Sequence, residues 1–162
     1  MEILRFDNFY ELIEKLGKEK IKVIDDNHNR YIAIKWNDDV LIGVAYCNFG
    51  VSEDVYFDEN NNLLYLGVGE NIICVDVLNG KSILNSRLSS VFFNFLSQNG
   101  DSKVIIVCEL DVYCYFCSKL VWRVGFREIV TGAFITERNV LKIICENNSE
   151  MCIDINEGKC II

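Results

Sequence analysis

The sequence predicts a mainly β protein built from blade-like antiparallel repeats of about 39 residues, forming an open curved sheet or a small, incomplete propeller with one short N-terminal helix. Three observations carry this. The stretch Ile73-Cys74-Val75-Asp76-Val77-Leu78-Asn79-Gly80-Lys81-Ser82-Ile83 returns as Cys152-Ile153-Asp154-Ile155-Asn156-Glu157-Gly158-Lys159-Cys160-Ile161. A weaker echo, Tyr113-Cys114-Tyr115-Phe116-Cys117-Ser118-Lys119-Leu120-Val121-Trp122, lies between them, so that Cys74 to Cys114 is 40 positions and Cys114 to Cys152 is 38. Each copy alternates β-branched or aromatic residues up to a turn, and in two of them a glycine supplies the positive φ that a tight reversal needs.

The first element is a short strand over Met1–Phe6. Asp7 then offers an N-cap, Phe9, Leu12, Ile13 and Leu16 fall on one face at helical spacing, and Gly17 closes the pattern. A single amphipathic helix this short is unstable alone, so its expected task is to cover an end or edge of the sheet. From Lys20 the pattern is β. Ile21–Ile24, Arg30–Trp36 and Val40–Tyr46 read as strands of a degenerate first unit that lacks the Gly-Lys turn. Upstream of each repeated hairpin lies an apolar strand, at Leu63–Val68, Lys103–Cys108 and Val140–Cys145. Before each of those lies another, at Val55–Phe57, Val91–Leu96 and Ala133–Thr136. Val91–Leu96 also fits a helical spacing, but its aromatic content and its place in the repeat assign it to a strand. About four strands per repeat gives roughly four units within one domain, residues 1–162, of which 1–19 form the strand and helix and 20–162 the repeats.

Composition narrows the function. The chain is 51% hydrophobic and 25% charged, which excludes a disordered chain, and no apolar run approaches the ~20 residues of a spanning helix. Nothing at the N-terminus reads as a secretory signal, so a cytoplasmic protein with no membrane partner is expected. The net charge of −8 repels nucleic acid. Residues 1–60 carry 13 acids and 7 bases, a balance of −6, which would steer a basic protein partner.

Chemistry is sparse. Eight cysteines occupy mostly apolar strand positions and read as small core residues, and the one Cys-x-x-Cys, Cys114 to Cys117, lacks a second pair or a nearby histidine for zinc. His28, the only histidine, stands in a polar turn, a weak setting for a preorganised base. Asp25, Asn27 and Asn29 open like a calcium loop, but Arg30 and Trp36 occupy the places of its glycine and glutamate. Gly67-Val68-Gly69 lacks the third glycine and following helix of a nucleotide loop and reads as a turn or bulge between strands. Trp36 and Trp122 lie in strands, where core packing is the default. No catalytic residue, metal ligand or cofactor site is expected.

The segment Val75-Asp76-Val77-Leu78-Asn79-Gly80-Lys81 resembles the blade signature of quinoprotein-type β-propellers, though the tryptophan that follows Gly-Lys in that family is matched only in Lys119-Leu120-Val121-Trp122. With this few units the resemblance implies no quinone cofactor. The run Val107-Cys108-Glu109-Leu110-Asp111-Val112-Tyr113-Cys114-Tyr115, followed by Trp122, is similar to small bacterial immunity proteins found beside polymorphic or contact-dependent toxins. That similarity implies an immunity protein that occludes a basic toxin domain such as a nuclease. The alternative is a propeller-like interaction scaffold with no toxin partner. The residues expected to meet the partner are the turn acids Asp25, Asp26, Asp38, Asp39, Glu53, Asp54, Asp58 and Glu59, all read as exposed.

Overall fold

A computed structural model describes residues 1–98 and 102–161. It contains sixteen strands among the described residues, arranged as four four-stranded sheets. Blade 1 orders β1 (Glu2–Phe6), β3 (Arg30–Trp36), β4 (Asp39–Tyr46) and β2 (Ile21–Val23). Blade 2 runs β5 (Asp54–Asp58), β6 (Leu63–Val68), β7 (Asn71–Asp76), β8 (Lys81–Arg87), and blade 3 runs β9 (Phe92–Ser97), β10 (Lys103–Cys108), β11 (Asp111–Phe116), β12 (Lys119–Gly125). Blade 4 runs β13 (Val130–Ile135), β14 (Val140–Cys145), β15 (Glu150–Asp154), β16 (Cys160–Ile161). The ambiguous segment after Ser90 is therefore a strand.

The first unit differs from the three strands expected of it. β1 completes its sheet by pairing antiparallel with β3, and β2 lies parallel to β4 because the helix α1 (Phe9–Leu16) and a 3-10 turn carry the chain across the blade between β1 and β2. The helix cap also differs by one residue. Asn8, with extended backbone, accepts the Glu11 N–H through its side chain, while the Glu11 carboxylate accepts from Asp7 N–H. Gly17, at φ +77°, ends the helix as expected. Leu12 is fully buried against blade 1, and Gly43 of β4 leaves room for Leu12 and Leu16, so the helix closes the outward face of that blade.

Three hydrophobic layers join the four blades face to face. Ile32, Ile34, Val44 and Tyr46 of blade 1 meet Leu64, Leu66, Ile73 and Val75 of blade 2. Tyr65, Ile72 and Cys74 on the other face of blade 2 meet Phe92, Val104, Ile106 and Tyr113 of blade 3. Ile105, Val112 and Cys114 meet Leu141, Ile143 and Ile153 of blade 4. Central strands buried on both faces explain why β6 and β10 are nearly continuous apolar runs. Each fully buried aliphatic side chain contributes about 1.5–3 kcal/mol relative to exposure.

The repeat has a structural meaning. Cys74 and Cys114 are fully buried and face the following blade, paired across to Tyr65 and Ile105. Cys152 holds the same place in blade 4, opposite Lys142, and is half-buried. The repeated aspartates build the turns: Asp76 Oδ1 accepts from Leu78 N–H at 2.9 Å and Asp154 Oδ1 from Asn156 N–H at 2.7 Å. Gly80 and Gly158 both adopt φ +68° and donate their N–H to the carbonyls of Asp76 and Asp154. The echo in blade 3 reverses instead through Cys117 and Ser118, both at positive φ.

Alternating strand directions divide the loops between two rims. The turns β5–β6, β7–β8, β11–β12, β13–β14 and β15–β16 lie on a hairpin rim, where Ser118 N–H donates to the Tyr65 hydroxyl and Lys103 lies by Asn156. The opposite, crossing rim holds the blade-to-blade connections and the β6–β7, β10–β11 and β14–β15 turns. There Phe92 N–H donates to Gly69 O, Glu109 to Val91, Val130 to Glu109 and Glu146 to Ile129, a chain of 2.8 Å backbone bonds from blade to blade. Trp36, at the end of β3, packs tilted against Phe57, near the end of β5, with ring centroids 4.3 Å apart. β3 therefore runs with β5, which puts the β3–β4 turn on the hairpin rim.

Candidate protein-binding surface

The expected partner residues do not form one site. Asp38, Asp39, Asp58 and Glu59 sit on the hairpin rim, and Asp25, Asp26, Glu53 and Asp54 on the crossing rim. Four of the eight also depart from the expected exposure. Asp58 is 1% exposed and accepts from the Asn61 side-chain amide, because it closes the β5–β6 turn from inside. Asp54 is half-buried and accepts from Val55 and Phe95 N–H, tying blade 2 to blade 3. Asp25 is half-buried and accepts from Cys47 N–H. Glu53 has a side chain only 6% exposed. A carboxylate near chain reversals is as useful for bonding backbone N–H groups as for meeting solvent, and sequence does not separate the two uses. Asp26, Asp38, Asp39 and Glu59 are exposed.

Glu53 forms an enclosed polar constellation on the crossing rim. One carboxylate oxygen accepts from the Tyr46 hydroxyl at 2.8 Å, and the other lies 2.5 Å from Arg5 Nη2. Burial opposes ionisation of Glu53, but its own backbone N–H, the Tyr46 hydroxyl and Arg5 outweigh it and hold the carboxyl below its usual range. Burial and the neighbouring carboxylate push the Tyr46 phenol up, so that it stays a donor. A cavity of about 380 Å³ beside them is lined by Asn29, Arg30, Tyr31, Asn48 and Ser52. A larger groove of about 680 Å³ runs on the hairpin rim between blades 1 and 2, past Trp36, Asp39, Leu78 and Lys22. Both hold mixed charge.

His28 lies outside both cavities. Its ring packs 4.8 Å from Phe9 of the helix, and its Nδ1 is 3.2 Å from the Tyr31 hydroxyl, which donates to the His28 carbonyl. The histidine anchors α1 to the β2–β3 loop. Cys74 and Cys108 are buried, and burial pushes the Cys74 thiol up to about 12 and the Cys108 thiol up as well. All eight cysteines are free. Among the described residues no group of three or more His, Cys, Asp or Glu is placed to hold a metal, and no helix is long and apolar enough to cross a membrane. Trp122 packs between blades 3 and 4: its indole N–H donates to the Ile155 carbonyl at 2.8 Å and its ring lies on Gly158.

Charge distinguishes the two rims in a way the linear sequence does not display. Every cation on the crossing rim is an arginine, and three are held by carboxylates of the same rim, in the pairs Arg5–Glu53, Arg87–Glu70 and Arg123–Asp111. Asp26, Glu109, Glu128 and Glu146 form no ion pair among the described residues and face only Arg30 and Arg127 as further cations of that rim. The hairpin rim instead interleaves its acids with lysines. Lys81, Lys119 and Lys159 begin, or lie just before, the last strand of blades 2, 3 and 4.

No family model matches the sequence, and no curated protein matches it. Similarity to solved structures is confined to fold. The computationally designed Ika4 protein is 12% identical, with a TM-score of 0.57 over 91% of this chain and 79% of Ika4. BamB from Moraxella catarrhalis is 10% identical at TM-score 0.57, covering all of this chain and 50% of BamB. The Cps50 (Swd1) β-propeller domain from Myceliophteria thermophila is 18% identical at TM-score 0.54, over 66% of this chain and 36% of that one. The chain thus spans about half of BamB and about a third of the Cps50 domain. The fold is a propeller-like array of four four-stranded blades, antiparallel except for the β2–β4 pairing, with one α-helix.

Proposed function

We propose that this protein is a binding module for a basic protein, and specifically an immunity protein that occludes a cognate basic toxin domain such as a nuclease. The observation that carries the reading is the acid excess, 24 acids against 16 bases. Part of it stands as exposed carboxylates on loops of both rims, among them Asp26, Asp38, Asp39, Glu59, Glu128 and Glu146, held by a packed four-blade scaffold. Loops on a rigid scaffold lose little entropy on binding, and a negative field raises the association rate with a basic partner. The similarity of residues 107–115 to immunity proteins supports the toxin assignment.

The test is co-expression with the domain encoded directly upstream. An immunity protein restores growth to cells making that domain and binds it in vitro with an association rate that falls steeply with salt. If growth is not restored and the purified domain does not bind, the toxin assignment fails. A salt-sensitive complex with a basic protein that is not toxic would instead establish the scaffold reading.

A further inference from the structure

We infer that the crossing rim, and not the hairpin rim, is where this protein docks its basic partner, an inference that rests on the binding-module reading above. Both rims expose large apolar side chains. On the crossing rim these are Phe49, Leu110 and Ile129, at 51%, 36% and 37% exposure. Their loops are held in place: the backbone carbonyls of Leu110 and Ile129 accept from Phe126 and Glu146 N–H at 2.8 Å, and the Phe49 ring borders the glycine surface at Gly69. Apolar groups on loops whose backbone is already fixed cost little backbone ordering when covered, so they are suited to supply affinity.

Charge then selects the occupant. Glu109 precedes Leu110, Glu128 precedes Ile129, and the Glu146 backbone N–H donates to the Ile129 carbonyl, so three glutamates without ion pairs among the described residues are next to two of the three apolar residues along the backbone. Of the local arginines, Arg87 and Arg123 are drawn into pairs with Glu70 and Asp111, which leaves Arg127, next to Glu128, against the three glutamates. On the hairpin rim the exposed apolar groups Leu78 and Leu120 stand beside Lys81 and Lys119, which repel a basic protein. Among the described residues, exposed apolar groups stand next to glutamates without ion pairs on the crossing rim and next to lysines on the hairpin rim.

The probe is cytochrome c, a folded basic protein, titrated at low ionic strength into the isotope-labelled chain. Amide shifts should gather at 48–50, 109–110, 127–129 and 146, and should vanish as salt is raised to about 0.15 M, where the screening length falls to about 8 Å. The triple variant E109Q/E128Q/E146Q should weaken association roughly five-fold or more, and the hairpin-rim triple D39N/E59Q/E137Q less than two-fold. All six positions are partly or fully exposed, so unchanged amide spectra elsewhere confirm folding. If shifts gather on the hairpin rim, or the hairpin triple weakens association as much, the rim assignment is overturned while a basic partner still stands. If no association occurs even at low salt, the basic-partner reading itself falls.

Discussion

Two glycines with the same backbone and different neighbours separate the cost of a turn from the cost of a blade contact. Gly80 and Gly158 both sit at φ +68° and donate to an aspartate four residues back in the same turn. A Cβ at residue 80 would meet nothing within 4 Å, whereas one at residue 158 would lie 2.5 Å from Cγ of Trp122. The left-handed conformation costs an L-residue about 1–2 kcal/mol, and overpacking a filled site about 1–3 kcal/mol more. Gly80→Ala should therefore cost about 1–2 kcal/mol and Gly158→Ala about 2–5 kcal/mol, since the indole is pinned by its bond to Ile155 and cannot retreat freely. In a chain of this size each kcal/mol moves Tm by about 2–4 °C, which thermal and urea unfolding followed by circular dichroism resolve. In a Trp122→Ala background the penalty at 158 should fall to that at 80. Equal penalties in the parent, or a penalty at 158 that survives removal of the indole, would refute the claim that this contact locks blade 4 to blade 3.

Three further outcomes are expected. Leu12→Ala, at a fully buried position of the helix, should cost about 2–5 kcal/mol and speed amide exchange in β3 and β4 before the other blades. The folded pKa of Glu53 is depressed, so its stabilisation is complete above the unfolded carboxyl value of about 4.3 and is lost as pH falls through the lower folded value. Glu53→Gln should lower stability at pH 7 by about 1–2 kcal/mol, discounted because Arg5 is largely solvated, and should flatten the stability profile below about pH 4.3. With iodoacetamide at pH 8 the exposed Cys160 should react first, and Cys74 and Cys108 roughly 100-fold more slowly unless the chain unfolds, read by mass spectrometry of the labelled peptides.

The architecture was legible because the residues that make a blade recur. Cys74, Cys114 and Cys152 occupy the same strand position, and the Gly-Lys turns have the same geometry. The first blade was less legible, since its sheet is completed by a strand on the far side of a helix and by a parallel pairing, neither of which leaves a periodic mark. The candidate surface was least legible. Asp58 and Glu59 are neighbours in one turn, yet one is buried as a turn anchor and the other is exposed. Glu109, Leu110, Glu128 and Ile129 leave no joint mark in the sequence because their relation depends on backbone bonds between blades.

The end faces of the array show why recognition falls to the rims. Tyr65 and Ile72 of blade 2, and Ile105 and Val112 of blade 3, are buried against the next blade. At the matching places blade 4 carries Lys142 and Glu150, joined by an ion pair 2.6 Å long, with Phe134 beside the lysine. Burying that pair against another apolar sheet would carry a desolvation cost that its mutual attraction scarcely offsets. The outward face of blade 1 is already closed by Leu12 and Leu16 of the helix. A repeat array needs such polar or covered outer faces to avoid stacking without limit. With the broad apolar faces either consumed or guarded, the loops keep the freedom to vary in sequence, and there the repeat constrains only the turn-forming aspartate and glycine. The hairpin rim is bound to that motif in two of its turns, while the crossing rim is held partly by backbone bonds between blades and partly by the side chains of Asp25, Glu53, Asp54, Ser90 and Asp111. That leaves crossing-rim positions outside those side-chain bonds, such as Glu128 and Glu146, able to vary with a partner at little loss to the stack.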